Sequence, residues 1–402
     1  MTDVPKRSTV LTSLTSVCLG RSLSIFAVLL VVAPLVACAS RPETGFLASV
    51  PESVPGATDD TALIATTRQR DPRPGTFFNG ERAPSLDYAE ITVSVPPNHI
   101  PGQVEMASTP PGDPNTNFVV LQGGYLDGDK AFVQALNAQL AKRPKGTRKV
   151  FLFIHGYNTL FAEGLYRFTQ VVQDSKADGV PVLFTWASRG KLLDYVYDNN
   201  SATAARDGLE HVLRLALASN ADRVDVLAHS MGNWVTVEAF RQIKISGSVP
   251  NASKFGLVIL AAPDIDLDVF KSDMRRFGKP SRPFYVVLSK DDKALWASKL
   301  IGGGQTRVGD DPNVIELAKL GATVVDLTDV KADDPTNHGK FAQLAEVAPE
   351  LRTVLGQGVG SRPGIARDEA IQRSLNGVTS LSGVVTLPVT LLGAPVNIIR
   401  SE

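Results

Sequence analysis

Ser230 lies in Val224-Asp225-Val226-Leu227-Ala228-His229-Ser230-Met231-Gly232, an apolar strand pattern that runs into a small-x-Ser-x-small turn. A helical pattern from Asn233 to Ile243 follows at once. Strand, sharp turn and helix are the setting of a nucleophile elbow, which pushes a serine oxygen out of the sheet edge towards substrate. The turn is tight, so its flanks must be small; here Ala228 occupies the first flank. Plain loop serines share this motif, so the rest of the chain has to supply the chemistry. A serine hydroxyl is a weak nucleophile at neutral pH. It needs an adjacent base, an acid to orient that base, and donors for the oxyanion that develops.

In the α/β-hydrolase chain order these come as oxyanion loop, serine, acid, histidine. Phe151-Leu152-Phe153-Ile154-His155-Gly156-Tyr157-Asn158 supplies the first as a buried strand ending in His-Gly. Gly156 permits the close turn, the Tyr157 N–H would point at the site, and the Met231 N–H would be the second donor. His155 is expected to brace this turn and not to transfer protons.

Five histidines are present. His99 lies in a Pro-flanked loop, His155 in the oxyanion loop and His211 inside a helical pattern. His229 is the variable position of the elbow and is expected to point away. His338 follows the last strand on a loop opening a final helix, the expected place for the base. The acid should follow the strand Phe284–Leu288, where Asp291 and Asp292 stand side by side. Asp292 is favoured, with Asp291 as an alternative. Asp264, beside Asp266 in Ala261-Ala262-Pro263-Asp264-Ile265-Asp266, is another. Asp329, Asp333 and Asp334 read as solvated loop carboxylates.

Together these pieces resemble a bacterial α/β-hydrolase family of unknown function, grouped with the esterase/lipase superfamily. The resemblance rests on Phe153 to Asn158, on Phe184-Thr185-Trp186-Ala187-Ser188-Arg189-Gly190, on Ala228 to Asn233, on Ala261 to Asp266 and on Ser289 to Leu295. The family commonly has proline where this chain has Ala187. The resemblance covers roughly residues 75–350 and implies the hydrolase fold, with the acid at Asp292 and the histidine at His338. It supplies no substrate.

The elements that must position these residues read as alternating strands and helices. Strand patterns cover Tyr88–Val95, Asn117–Leu121, Lys149–Ile154, Pro181–Trp186, Arg223–Leu227, Leu257–Ala261, Phe284–Leu288 and Ala322–Leu327. Helical patterns cover Lys130–Lys142, Phe161–Asp174 and Ala202–Ala218. Continuous apolar strands between helices argue an α/β fold, a mostly parallel sheet with helices on both faces. Ser230 then sits at the tip of the fifth strand. Lys191 to Asn200 is expected to enter a helix or to line the pocket.

The chain has 402 residues, 43% hydrophobic and 20% charged, with zero net charge. That is globular composition without a nucleic-acid footprint. The two cysteines, Cys18 and Cys38, both lie near the N-terminus, which excludes a disulfide, thiolate metal site or catalytic cysteine from the body. Residues 1–37 read as a signal peptide. Lys6, Arg7 and Arg21 precede the apolar run Leu23–Val36, which is short against the roughly 20 residues of a membrane span. Leu35-Val36-Ala37-Cys38 resembles a bacterial lipobox, which implies acyl chains on Cys38 and a lipid-anchored protein facing the periplasm. Ordinary cleavage to a soluble periplasmic form and an uncleaved anchor are the alternatives. Residues 38–75 read as a flexible tether, 76–350 as the hydrolase domain, and 351–402 as a Gly/Ser-rich, then apolar tail outside the core.

The sequence thus points to an envelope-tethered serine esterase or lipase-like hydrolase acting on a small-molecule or lipid ester. Ser230 would attack, His338 would carry the proton and Asp292 would orient it, with no metal or cofactor. A non-catalytic envelope lipoprotein using the fold as a binding platform, and an acyltransferase with the same site, are the other readings.

Overall fold

The computed structural model describes residues 41, 43–247, 251–278, 284–310, 313–332, 334–344, 379–381, 384–391 and 394–401. The described elements belong to a body that starts at Thr44. Residues 1–40, where the sequence suggests a signal peptide and a lipobox at Cys38, lie outside the described residues. No helix among the described residues is long and apolar enough to cross a membrane.

In chain order the elements are β1 (Thr58–Arg70), β2 (Phe78–Val95), β3 (Val119–Leu126), α1 (Gly128–Ala141), β4 (Lys149–Ile154), α2 (Phe161–Ser175), β5 (Val180–Thr185), α3 (Tyr195–Ala218), β6 (Arg223–His229) and α4 (Gly232–Ile245). They continue with β7 (Phe255–Ala261), α5 (Leu267–Phe277), β8 (Phe284–Leu288), α6 (Lys293–Ile301), α7 (Val314–Lys319), β9 (Ala322–Asp326), α8 (Lys340–Leu344), β10 (Thr379–Leu381), β11 (Val384–Leu391) and β12 (Ala394–Ser401).

The strands form one twelve-stranded sheet in the order β10-β11-β12-β9-β8-β7-β6-β4-β5-β1-β2-β3. From β9 across to β1 every neighbouring pair is parallel. Antiparallel strands extend both flanks: β2 and β3 on one side, β12, β11 and β10 on the other. Every residue of β5 and β8 is buried, as a parallel strand covered on both faces requires. One face packs against α1, α3, α4 and α5 through Phe132, Leu209, Val235 and Phe270. The other packs against α2 and α8 through Phe161, Phe168 and Phe341. The α/β architecture with helices on both faces is therefore as the alternating pattern predicts.

Two segments depart from expectation. Residues 38–75 are not a tether throughout: β1 lies inside the sheet, between β5 and β2. Leu63, Ile64 and Ala65 are fully buried. Their short apolar run is hidden in sequence by polar flanks, yet the threonines around it suit a pleated strand. Ahead of it, Phe46, Leu47 and Val50 are buried too, and Ser49 bridges Val120. One more strand thus precedes Ser230, which follows the sixth strand and not the fifth.

The second departure is the tail, read as outside the core. Its described residues form β10, β11 and β12, and β12 pairs with β9 at Asn397–Asp326, Ile398–Val325 and Ile399–Val324. Val396 is fully buried and Ile398 nearly so. Pro388 and Pro395, which rule out a helix there, are tolerated in strands near a sheet edge. Residues 345–378 lie outside the described set. The domain is accordingly wider on both sides than 76–350.

Replacing fully buried Leu63 of β1 with alanine is expected to cost about 2–5 kcal/mol of stability. Urea unfolding of Leu63→Ala against wild type measures it, and an unchanged midpoint would return the segment to a tether.

Candidate active site

Parallel strands all end at the same sheet edge, so the loops after β4 through β9 converge. Six strands deliver chemistry there. Ser230 follows β6 with a φ of 52°, a left-handed conformation that costs a non-glycine residue roughly 1–3 kcal/mol and persists only where the surroundings enforce it. The enforcement is visible. The Ser230 N–H donates to Ala261 O at 3.0 Å, and Ser230 O accepts from the N–H groups of Asn233 (3.1 Å) and Asp264 (3.2 Å). Buried Asn233 adds its side chain, with Nδ2 donating to Ser230 O and to Ala261 O, each at 2.9 Å. Asn233 had no sequence signal beyond following the elbow glycine.

The small flanks have a steric cause. A Cβ on Gly232 would lie 2.4 Å from His155 O, and one on Gly156 would lie 2.7 Å from the Ser230 Cβ. The β4 and β6 ends therefore touch, which brings Tyr157, next to Gly156, and Met231, next to Ser230, close to the serine. Neither N–H has an acceptor among the described residues. Two unspent backbone donors beside an elbow serine are an arrangement that could hold an oxyanion.

Asp292 and His338 are brought together. His338 Nδ1 lies 2.7 Å from Asp292 Oδ2, with the His338 side chain 18% exposed and the Asp292 side chain fully buried. The other Asp292 oxygen accepts from Leu295 N–H at 3.0 Å, capping α6, so the carboxylate is fixed at both ends. Burial pulls the His338 pKa down, but the hydrogen bond and charge of Asp292, helped by Asp264 and Asp334, lift it above the ordinary histidine value.

The remaining aspartates sort by partner. Asp291 accepts from Lys340 Nζ at 2.6 Å and Asn337 Nδ2 at 2.9 Å, away from the imidazole. Lys340, 3% exposed, also donates to Ser289 Oγ, Leu327 O and Thr328 O at 2.8, 3.0 and 3.0 Å. It staples the loops after β8 and β9 together. Asp334 is not a solvated bystander: it accepts from the N–H groups of Thr336, His338 and Gly339 at 3.0, 3.2 and 2.7 Å and shapes the loop that carries His338. Asp264 is buried beside the elbow, accepting from Ser298 Oγ at 2.5 Å and Tyr195 Oη at 3.3 Å and paired with Arg307 Nε at 3.3 Å. Its pKa is raised by burial against the pull of Arg307. Asp266 caps α5.

His229 does not point away. Its ring lies 4.6 Å from the His338 ring and 4.0 Å from that of Phe341, and its Nε2–H donates to His338 O at 3.3 Å. Burial, then the His338 charge, keep it well below the ordinary pKa and neutral. Through this contact His338 is held beside the elbow. No hydrogen bond joins Ser230 Oγ and His338 Nε2 among the described residues, which is common in unliganded sites. His99 instead bridges Glu105 (2.7 Å) and Asp174 (2.9 Å) far from this edge, and His211 pairs with Asp129 at 2.6 Å. Lys191 to Asn200 is a helix entry. It leads through a single turn into α3, and its Tyr195 ring meets Tyr157 edge-on at 5.1 Å.

A family model described as alpha/beta hydrolase of unknown function (DUF900) matches residues 129–357. Among solved structures, one from a structural analysis of two fungal esterases of Rhizomucor miehei, explaining their substrate specificity, is similar at 12% identity. It covers 77% of this chain and 86% of that chain, with a TM-score of 0.33, too low to carry any argument about the site. No curated protein matches. The family match takes in more than half of the sequence, and it joins an observed parallel sheet to an elbow serine. The chain belongs to the alpha/beta hydrolase family of unknown function (DUF900).

Proposed function

We propose that this protein is a serine hydrolase of carboxylic esters that works through an acyl-enzyme. The observation that carries the reading is the pair of buried Asp292 and partly exposed His338 at 2.7 Å beside a serine in a strained elbow. Ser230 Oγ attacks the ester carbonyl carbon while its proton passes to His338 Nε2, the ring nitrogen that Asp292 leaves available. The carbonyl oxygen becomes an oxyanion between the Tyr157 and Met231 N–H groups. Collapse of this intermediate breaks the bond to the alcohol, which leaves with the proton from His338. Water, activated by the same imidazole, then releases the acid and restores Ser230. The substrate is a small-molecule or lipid ester. The same reading holds the body at the bacterial envelope, facing the periplasm, through acyl chains on Cys38; the Cys38→Ser protein is expected to leave the membrane fraction, and retention there would refute the anchor.

A fluorophosphonate probe is expected to label the wild-type protein and Ser289→Ala but not Ser230→Ala. Loss of the nucleophile should lower hydrolysis of p-nitrophenyl esters by about 10⁴-fold or more. Folded wild-type protein that takes up no probe would favour a binding platform.

His338 must be neutral to accept a proton, and its pKa is raised. Activity should therefore fall as pH drops through a value above the usual histidine pKa of about 6.5. Asp292→Asn removes the lift, so the acid limb of the labelling-rate profile should move to lower pH while the plateau rate drops. An unmoved limb would exclude Asp292 as the partner.

A further inference from the structure

We infer that Arg68 of β1 is a positioning residue for this site: its guanidinium anchors the loop from His155 to Thr159 and so, together with His155, the direction of the Tyr157 N–H. The inference rests on the reading of Ser230 as nucleophile, with those N–H groups as its oxyanion donors.

Arg68 is 1% exposed, and no carboxylate lies within ion-pair distance of it among the described residues. Its hydrogen bonds go elsewhere. Nε donates to Thr185 Oγ1 at 2.8 Å, and Nη1 donates to Asn79 O at 3.1 Å and Ser188 O at 2.8 Å. Nη2 donates to Thr159 O at 2.8 Å and to His155 Nε2 at 3.4 Å. A guanidinium has five N–H donors, and all five are spent, so none is left for substrate. Burial lowers the Arg68 pKa to about 10, with the charges of Asp198 and Glu163 opposing; the group stays cationic at neutral pH.

A buried cation without a contacting carboxylate is a costly way to fill space, and an apolar side chain would stabilise the fold better. What Arg68 holds gives it a purpose. His155 Nε2 receives the Trp186 N–H at 3.2 Å and the Thr185 hydroxyl at 2.8 Å as well as Arg68. Thr185 Oγ1 accepts from Arg68 Nε, so its own proton turns to the imidazole. With donors on Nε2, the single proton of the ring must sit on Nδ1, which donates to Gly156 O at 2.8 Å. Burial first, and the Arg68 charge second, depress the His155 pKa to about 3, so the ring never takes the second proton that would erase the distinction.

Gly156 O and the Tyr157 N–H belong to one peptide unit. Because that unit is planar and trans, fixing the oxygen fixes the opposite direction of the N–H. Hydrogen bonds to the oxygen, from His155 Nδ1 and from Thr159 Oγ1 at 3.0 Å, also polarise the N–H and strengthen it as a donor. The far end of the loop is held as well. Arg68 takes Thr159 O, while Asp198 Oδ2 takes the Asn158 N–H at 3.2 Å and Ser188 Oγ takes the Thr159 N–H at 2.9 Å. The cation, a neutral imidazole and one peptide form a line ending at the oxyanion.

The test uses the full-length protein with Arg68→Met, which keeps bulk but removes charge and donors, and Arg68→Lys, which keeps charge without the fork. Two readouts are combined: kcat and KM on a p-nitrophenyl ester, and the ¹⁵N shifts of His155 by NMR. In wild type His155 should show the Nδ1–H tautomer. The Trp186 N–H and Gly156 O keep that tautomer in Arg68→Met, but with the Arg68 charge gone the His155 shifts should move and its titration should rise, and kcat should fall about 10- to 100-fold with KM little changed, less than outright loss of an oxyanion donor. Should Arg68→Met not fold, Arg68→Lys carries the same kinetic comparison. A folded variant with wild-type kcat, or unmoved His155 shifts in Arg68→Met, would overturn the inference. Absence of wild-type activity would instead sink the hydrolase reading, while the His155 shifts still decide whether Arg68 acts on the loop.

Discussion

Strands β4 and β6 run side by side with Ile154 opposite Ala228, and how closely their ends approach sets the geometry of everything chemical in this molecule. A single added carbon at Gly156 or Gly232 would collide with the serine or with the neighbouring main chain. That contact forces Ser230 into its left-handed turn and leaves the two backbone N–H groups beside it unspent. The wall is backbone, which has few ways to yield, so these groups are fixed in place in advance.

The sheet edge that carries this contact also holds a concentration of buried charge. Arg68, Asp198, Asp264, Asp292, Arg307 and Lys340 are each less than 5% exposed. Buried charges are weak contributors to net stability, because desolvation offsets most of their attraction. Here they act as fixed points for loops that have no regular structure of their own. Lys340 joins the loop bearing Asp292 to the one bearing His338, while Asp198 joins the oxyanion loop to the segment after β5. The apolar layers on both faces of the sheet supply the stability that these polar anchors do not.

Much of this is legible in the sequence, for a physical reason. Strands buried on both faces need unbroken apolar residues, so Lys149–Ile154 and Phe284–Leu288 announce themselves and end where their runs end. The elbow is a local pattern, and five histidines leave few choices for the base. What is hidden depends on partners distant in the chain. Strand β1 owes its place to β5 and β2, not to its own mostly polar residues. The preference for Asp292 over its neighbour is explained by Lys340, a residue type normally assumed to be solvated. Asp334 passes for a loop carboxylate until its three N–H donors are seen, and the orientation of His229 is set by Phe341 and His338.

The stretch matched by the family starts at residue 129, after β1, β2 and β3. Arg68 lies upstream of that boundary yet reaches the carbonyls of Thr159 and Ser188 inside it. A fragment trimmed to the matched stretch would keep Ser230, Asp292 and His338 and still lose the cation beneath them. Domain limits drawn from family likeness and limits drawn from chemistry therefore differ in this protein. On the proposed hydrolase reading, sequence drift in the upstream strands has a route to tune turnover without altering any residue that touches substrate.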